Sequence, residues 1–152
     1  MSATSTGVPL YRHFAGKDEL VAAALAEFDV AQRRWLLGED TAPSRDRLLG
    51  AFDRVRNGAL AVGCPFVTTR LQSPDRTGPA ASRALAHKQA VGAEFARLLE
   101  AMGHPDPTGI GESLLVLLDG AIVHAAMEGS DSPVRIAAAA AAALIDSRPS
   151  RE

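Results

Sequence analysis

The chain of 152 residues reads as an all-α protein. Apolar residues recur at three- and four-residue spacing along most of its length, which is the helical period. No stretch shows the strict alternation of a half-buried strand. Glycine and proline gather in short clusters, as in Ser73-Pro74-Asp75-Arg76-Thr77-Gly78-Pro79, and such clusters mark turns between helices.

The elements follow in order. Leu20, Ala24, Phe28, Ala31 and Trp35 form one apolar stripe, predicting a long helix from about Lys17 to Leu37 that ends at Gly38. Ser44 is a candidate N-cap for a second helix with Leu48, Leu49, Phe52 and Val55 facing inward, fading around Leu60 to Gly63. Pro65 breaks regular helix, so the chain bends there before a short helix over Phe66–Leu71. A long helix is expected from about Ala80 to Met102, with Leu85, Gly92, Phe95, Leu98, Leu99 and Met102 on its apolar side. Gly103 to Pro107 form a sharp stop. The next helix, about Gly111–Glu128, is apolar nearly all round, a pattern expected of a helix buried on more than one face. Pro133 suits a first helical position and opens a last helix, Val134–Asp146, that carries seven consecutive alanines from Ala137 to Ala143.

Composition bounds the function. Apolar residues make up 47% of the chain, enough for a real core, and the net charge of −2 gives the whole chain no nucleic-acid footprint. Any DNA contact has to come from a local cluster such as Arg12, His13 and Lys17. Cys64 is the single cysteine, which excludes an internal disulfide and fits a reduced, cytoplasmic setting. The first residues lack the apolar segment of a signal peptide, and no uninterrupted apolar run reaches membrane-spanning length.

One block is more specific than the rest: Leu10-Tyr11-Arg12-His13-Phe14-Ala15-Gly16-Lys17-Asp18-Glu19-Leu20. It reads as the end of a short helix capped at Thr6, a turn at Gly16, and the start of the first long helix. Tyr11 and Phe14 share one helix face. Asp18 and Glu19 stand at the positive end of the new helix. The block resembles the "L-Y-x-H-F-x-x-K-x-x-L" signature of TetR-family transcriptional regulators. Gly63-Cys64-Pro65-Phe66, and Leu114-Leu115-Val116-Leu117-Leu118-Asp119-Gly120-Ala121 followed by the alanine-rich helix, resemble that family's C-terminal domains in the same order.

The resemblance implies a TetR-like helical bundle and a ligand-responsive, homodimeric, DNA-binding regulator, commonly a repressor, with no cofactor and no membrane partner. The family places two more helices before the tyrosine-bearing one. Only Met1 to Gly7 stand there in this chain. The expected division is therefore a remnant of the DNA-binding domain over residues 1–30 and a ligand-binding and dimerisation domain over 31–148. In that remnant the resemblance puts Gly7, Val8 and Pro9 near base edges, and Tyr11, Arg12, His13 and Lys17 on phosphates of the operator. Pro9 fits only a first helical turn.

Candidate pocket residues for an unknown small-molecule effector are Trp35, Phe52, Phe66, Arg70, His87 and Phe95. Candidate dimer contacts are Leu115, Leu118, Ile122 and Ala125 on one helix, with Ile136, Ala140 and Leu144 on the next. An alternative is a module that dimerises or binds a small molecule without reading DNA, sequestering ligand or a full-length partner. Enzyme chemistry finds little support. Cys64 with His87 or His104 lacks an oxyanion pattern and a matched acid. The histidines at 13, 87, 104 and 124 show no metal-ligand spacing.

Overall fold

Capping and turn chemistry cut the chain into six helices: α1 Lys17–Leu37, α2 Arg45–Gly58, α3 Pro65–Gln72, α4 Pro79–Ala101, α5 Pro107–Glu128 and α6 Ser132–Asp146. The structure is a computed structural model and describes residues 13–39, 42–58 and 63–147. The described residues contain helix and turn and no strand. Of the expected DNA contacts, Gly7, Val8, Pro9, Tyr11 and Arg12 lie outside the described residues.

The helix ends show why the boundaries fall where they do. At the start of α1, Glu19 Oε2 reaches back to accept the Ala15 N–H at 2.7 Å. Its other end stops at Gly38, whose φ of +76° is a left-handed value that glycine adopts freely. Two arginines of α2 finish that end: Arg54 donates to the Leu36 carbonyl and Arg47 to the Leu37 carbonyl, both at 3.1 Å. A cation at a helix C-terminus also meets the negative end of its dipole. Ser44 caps α2 as expected, accepting the Arg47 N–H at 3.1 Å.

The N-terminus of α4 is capped from a distance. Asp18, in the first turn of α1, accepts the Ala80 N–H at 3.2 Å. A carboxylate there satisfies an orphan donor and opposes the positive dipole end. The start of α1 is thereby tied to the start of α4.

One boundary differs from the sequence reading. Helix α5 begins at Pro107 rather than near Gly111, because Asp106 accepts the Gly109 N–H at 2.9 Å as N-cap and proline occupies the first turn. Two glycines inside the helix disguised its beginning. Gly111 has a packing reason: a Cβ there would stand 2.8 Å from the Ala96 backbone nitrogen of α4.

Helix α4 is the hub. α1, α3 and α5 pack on it, α6 packs on α5, and α2 joins α1 to α6. Phe52, Phe66, Phe95, Leu98, Leu114 and Leu118 are among the fully buried side chains of one continuous core. On α4 the buried side runs through Ala81, Ala84, His87 and Val91, while Leu85 and Met102, expected on the apolar side, are exposed. The interruption read at Lys88 is an ion pair, with Nζ 2.6 Å from Asp119 Oδ1 on α5. α5 is long and apolar enough to cross a bilayer by length and composition, yet its Leu114, Leu118, Ala121 and Ala125 form part of the bundle core.

The stripe read on α1 also differs in its surroundings. Leu25, Leu36 and Leu37 carry that helix into the core, whereas Ala24, Phe28, Ala31 and Trp35 remain open to solvent. The predicted apolar face is present, but it borders a cleft.

Gly111→Ala tests the α4–α5 contact. Helix propensity alone favours alanine by about 1 kcal/mol. Crowding against the Ala96 backbone should reverse that sign and cost about 1–3 kcal/mol, read as a lower denaturant midpoint at unchanged slope.

Candidate ligand cleft

The open stripe of α1 forms one wall of a cleft of about 750 Å³. Phe28, Ala31, Gln32 and Trp35 supply that wall, and α3 faces it with Pro65, Thr68 and Thr69. Gly58 and Gly63 complete the lining. A Cβ at Gly58 would stand 2.9 Å from Trp35 Cζ2, so a larger residue there would push the indole aside. The missing side chain lets the indole lie against the end of α2. The volume is within the range of small-molecule sites.

A stack of rings backs the cleft. Phe28 lies 6.2 Å from Phe66, centroid to centroid, and Phe66 lies 3.5 Å from the His87 imidazole with the two planes 5° apart. His87 is 2% exposed. Its Nδ1 is 2.6 Å from Asp29 Oδ1 on α1. The same carboxylate takes two hydrogen bonds from Arg33, Nε at 2.9 Å and an Nη at 3.2 Å. An ionised carboxylate only accepts, so His87 Nδ1 carries the proton of this bond.

The charges in this network are settled by competition. Burial pushes the Asp29 carboxyl up, but hydrogen bonds from His87 and Arg33 and the guanidinium charge outweigh it and hold the group below 3.8. For His87 burial wins: it holds the imidazole below 6.5 against the opposing pull of the Asp29 hydrogen bond.

The sequence-predicted site residues separate into groups. Trp35 lines the cleft. Phe66 and His87 stand behind its Phe28 wall. Phe52 and Phe95 are fully buried in the core and do not line it. Arg70 instead donates to the Arg76 carbonyl, closing the turn after α3. The sequence reading sets Arg33 on the opposite side or the edge of the α1 stripe and assigns neither it nor Asp29 to the site. Their i, i+4 spacing is a pairing signal, but nothing local shows that His87, 58 residues away, shares the carboxylate. It also missed Thr68 and Thr69, whose role depends on how α3 sits over α1.

Other expected residues lie elsewhere. His13 and Lys17 are exposed at the N-terminal end of α1. Leu118, Ile122 and Ala125 point into the protomer and are at most 7% exposed. Leu115 packs towards Gly92 of α4, at 3.3 Å from the position a Cβ would take there. Ile136, Ala140 and Leu144 lie along the outer α5–α6 surface with Val116 and Leu117. Cys64 is buried at the start of α3. Among the described residues no group of three metal-ligating side chains comes together.

The His87 shift has a sign that can be read. A histidine whose folded pKa lies below its unfolded value contributes stability above that unfolded value, 6.5, and loses it as the pH falls below it. Asp29 acts in the same direction but in a lower window, below 3.8. Wild-type stability should therefore drop between about pH 7 and about pH 5, and His87→Asn should flatten that drop in denaturant melts. Parallel curves for the two proteins would count against the buried neutral imidazole.

No protein-family model matches the chain, and no curated protein matches it. Among solved structures, a TetR-family transcriptional regulator from Streptomyces coelicolor superposes with a TM-score of 0.71 at 26% identity, over 93% of this chain and 75% of that one. The likeness extends through the bundle rather than one motif. The fold and the Leu10–Leu20 block point the same way: the chain has the architecture of a TetR-family transcriptional regulator.

Proposed function

We propose that this chain is a DNA-binding transcriptional regulator that works as a homodimer and responds to a small molecule held in the α1–α3 cleft. The observation that carries the reading is the likeness to a TetR-family regulator across 93% of the chain, with the Tyr11-Arg12-His13-Phe14 block standing immediately before α1. His13 and Lys17 supply phosphate contacts, as do Tyr11 and Arg12. Contacts of this type position a protein on DNA, and base-edge contacts then specify the sequence.

Dimerisation is supported by the outer surface of α5 and α6. Val116 is 71% exposed, Ile136 69% and Met127 75%. Val116, Leu117, Ile136, Ala140 and Leu144 border adjoining grooves there, with small residues Gly120 and Ala143 between them. Apolar side chains exposed together on one face favour an interface there, and small residues let helices approach closely. A two-fold dimer built on this face matches a palindromic operator.

Two measurements test the proposal. The chain should bind its own upstream DNA more tightly than random DNA, with affinity that falls steeply as salt rises, by about tenfold or more between low and physiological salt. Absence of binding at low salt from a clean dimer would assign the chain to the sequestering class instead. Ile136→Glu places a charge on the exposed groove and should shift the sedimentation mass from dimer to monomer with the helical content unchanged. A dimer that survives this substitution would place the interface elsewhere.

A further inference from the structure

The cleft has a chemical signature of its own, and reading it deepens the effector site proposed above and rests on that proposal for its regulatory meaning. Among the described residues, none of the side chains that line it is charged. Of the ionic groups next in sequence to the wall, Arg33 is bidentate to Asp29, which also holds His87, and Arg70 donates to the Arg76 carbonyl; Glu27 and Arg34 are exposed and are not among the lining residues. Burying an unpaired charge is costly, so a charged ligand entering here would find no counter-charge on the wall.

What the wall does offer is flat and apolar at one side and hydrogen-bonding at another. Phe28 and Trp35 are seven residues apart on α1, two turns along the same face, and both are partly exposed, 45% and 37%. Aromatic faces favour a second ring in offset or edge contact. Gln32, between them on α1, and Thr68 and Thr69, opposite on α3, present an amide and two hydroxyls. Among the described residues these three side chains give their hydrogen bonds to no other group of the protein. From these features we infer that the cleft takes an uncharged, planar aromatic or polycyclic small molecule bearing one or two carbonyl or hydroxyl groups. Its rings lie along Phe28 and Trp35, and its polar edge meets Gln32, Thr68 and Thr69.

The chain contains a single tryptophan, Trp35, so the site carries its own reporter. The probes are N-phenylnaphthylamine, which is neutral, and anilinonaphthalene sulfonate, the same ring system with one negative charge. The neutral probe should quench Trp35 emission saturably and bind about tenfold or more tightly than the sulfonate, the difference being an unpaired charge on a wall with none to meet it. Ala31 is exposed within the wall, so Ala31→Arg should leave the helical content unchanged and invert the order, favouring the sulfonate. Phe28→Ala should weaken the neutral probe by at least several-fold.

Equal binding of the two probes, or an order that Ala31→Arg does not move, would overturn the inference. So would concentration-dependent Trp35 emission without probe saturation, which would mean that a second copy of the chain fills the cleft. DNA binding is measured separately in the salt titration, so failure of the probes leaves the regulator reading standing, and failure on DNA leaves the cleft chemistry standing.

Discussion

One carboxylate ties together the half of the bundle that carries the cleft. Asp29 projects from α1 into partly buried surroundings, where its side chain is 15% exposed. A charge in that position is tolerated only when its lone pairs are used. Arg33 uses them from the same helix and His87 from α4, and the His87 ring in turn forms the floor on which Phe66 of α3 lies. Three helices thereby meet at one acid. Phe28, on the next ring outward, is both the last member of that stack and part of the cleft wall. The cleft is therefore held in shape by a polar network that does not itself line it.

That arrangement explains why an apolar stripe on α1 stays open. The face carrying Leu25, Leu36 and Leu37 buries its area in the core, and Asp29 fixes the rotation of the helix against α4. With rotation fixed, Phe28 and Trp35 are left facing α3 across a gap rather than closing onto it. The glycine at 58 adds to the gap by giving the indole room at the end of α2. The two ends of α1 are bound with equal care: Asp18 joins its first turn to α4, and Arg47 and Arg54 join its last turn to α2. α1 thus runs as one unbroken helix from Lys17, past the cleft, to Leu37.

The sequence made the helices legible because their ends carry local chemistry. Lys17–Leu37 could be bounded from Gly16, Asp18 and Gly38 alone, and Ser44 and Pro133 announced α2 and α6. It misjudged the start of α5, where Gly109 and Gly111 hide a continuous helix whose justification, close contact with Ala96, lies on another element. Periodicity shows that Phe28 and Trp35 share a face but not what that face meets. For the same reason Leu118, Ile122 and Ala125 read as interface candidates and lie in the core, while Val116, on the opposite side of the helix, is among the most exposed residues of α5. His87 was visible as a candidate. Its partner Asp29 was not, because a contact between residues 58 apart has no local trace.

The central claim is that filling the α1–α3 cleft changes how the chain holds DNA, since α1, which carries one wall of the cleft, follows directly in sequence on the block proposed to contact DNA. The most direct test is operator affinity at fixed salt, with and without a saturating concentration of the neutral naphthylamine. The account predicts that a filled cleft alters operator affinity several-fold, and that in Phe28→Ala, which binds the neutral probe several-fold more weakly, the same change needs a correspondingly higher probe concentration. An affinity that stays the same whether the cleft is empty or occupied would contradict it.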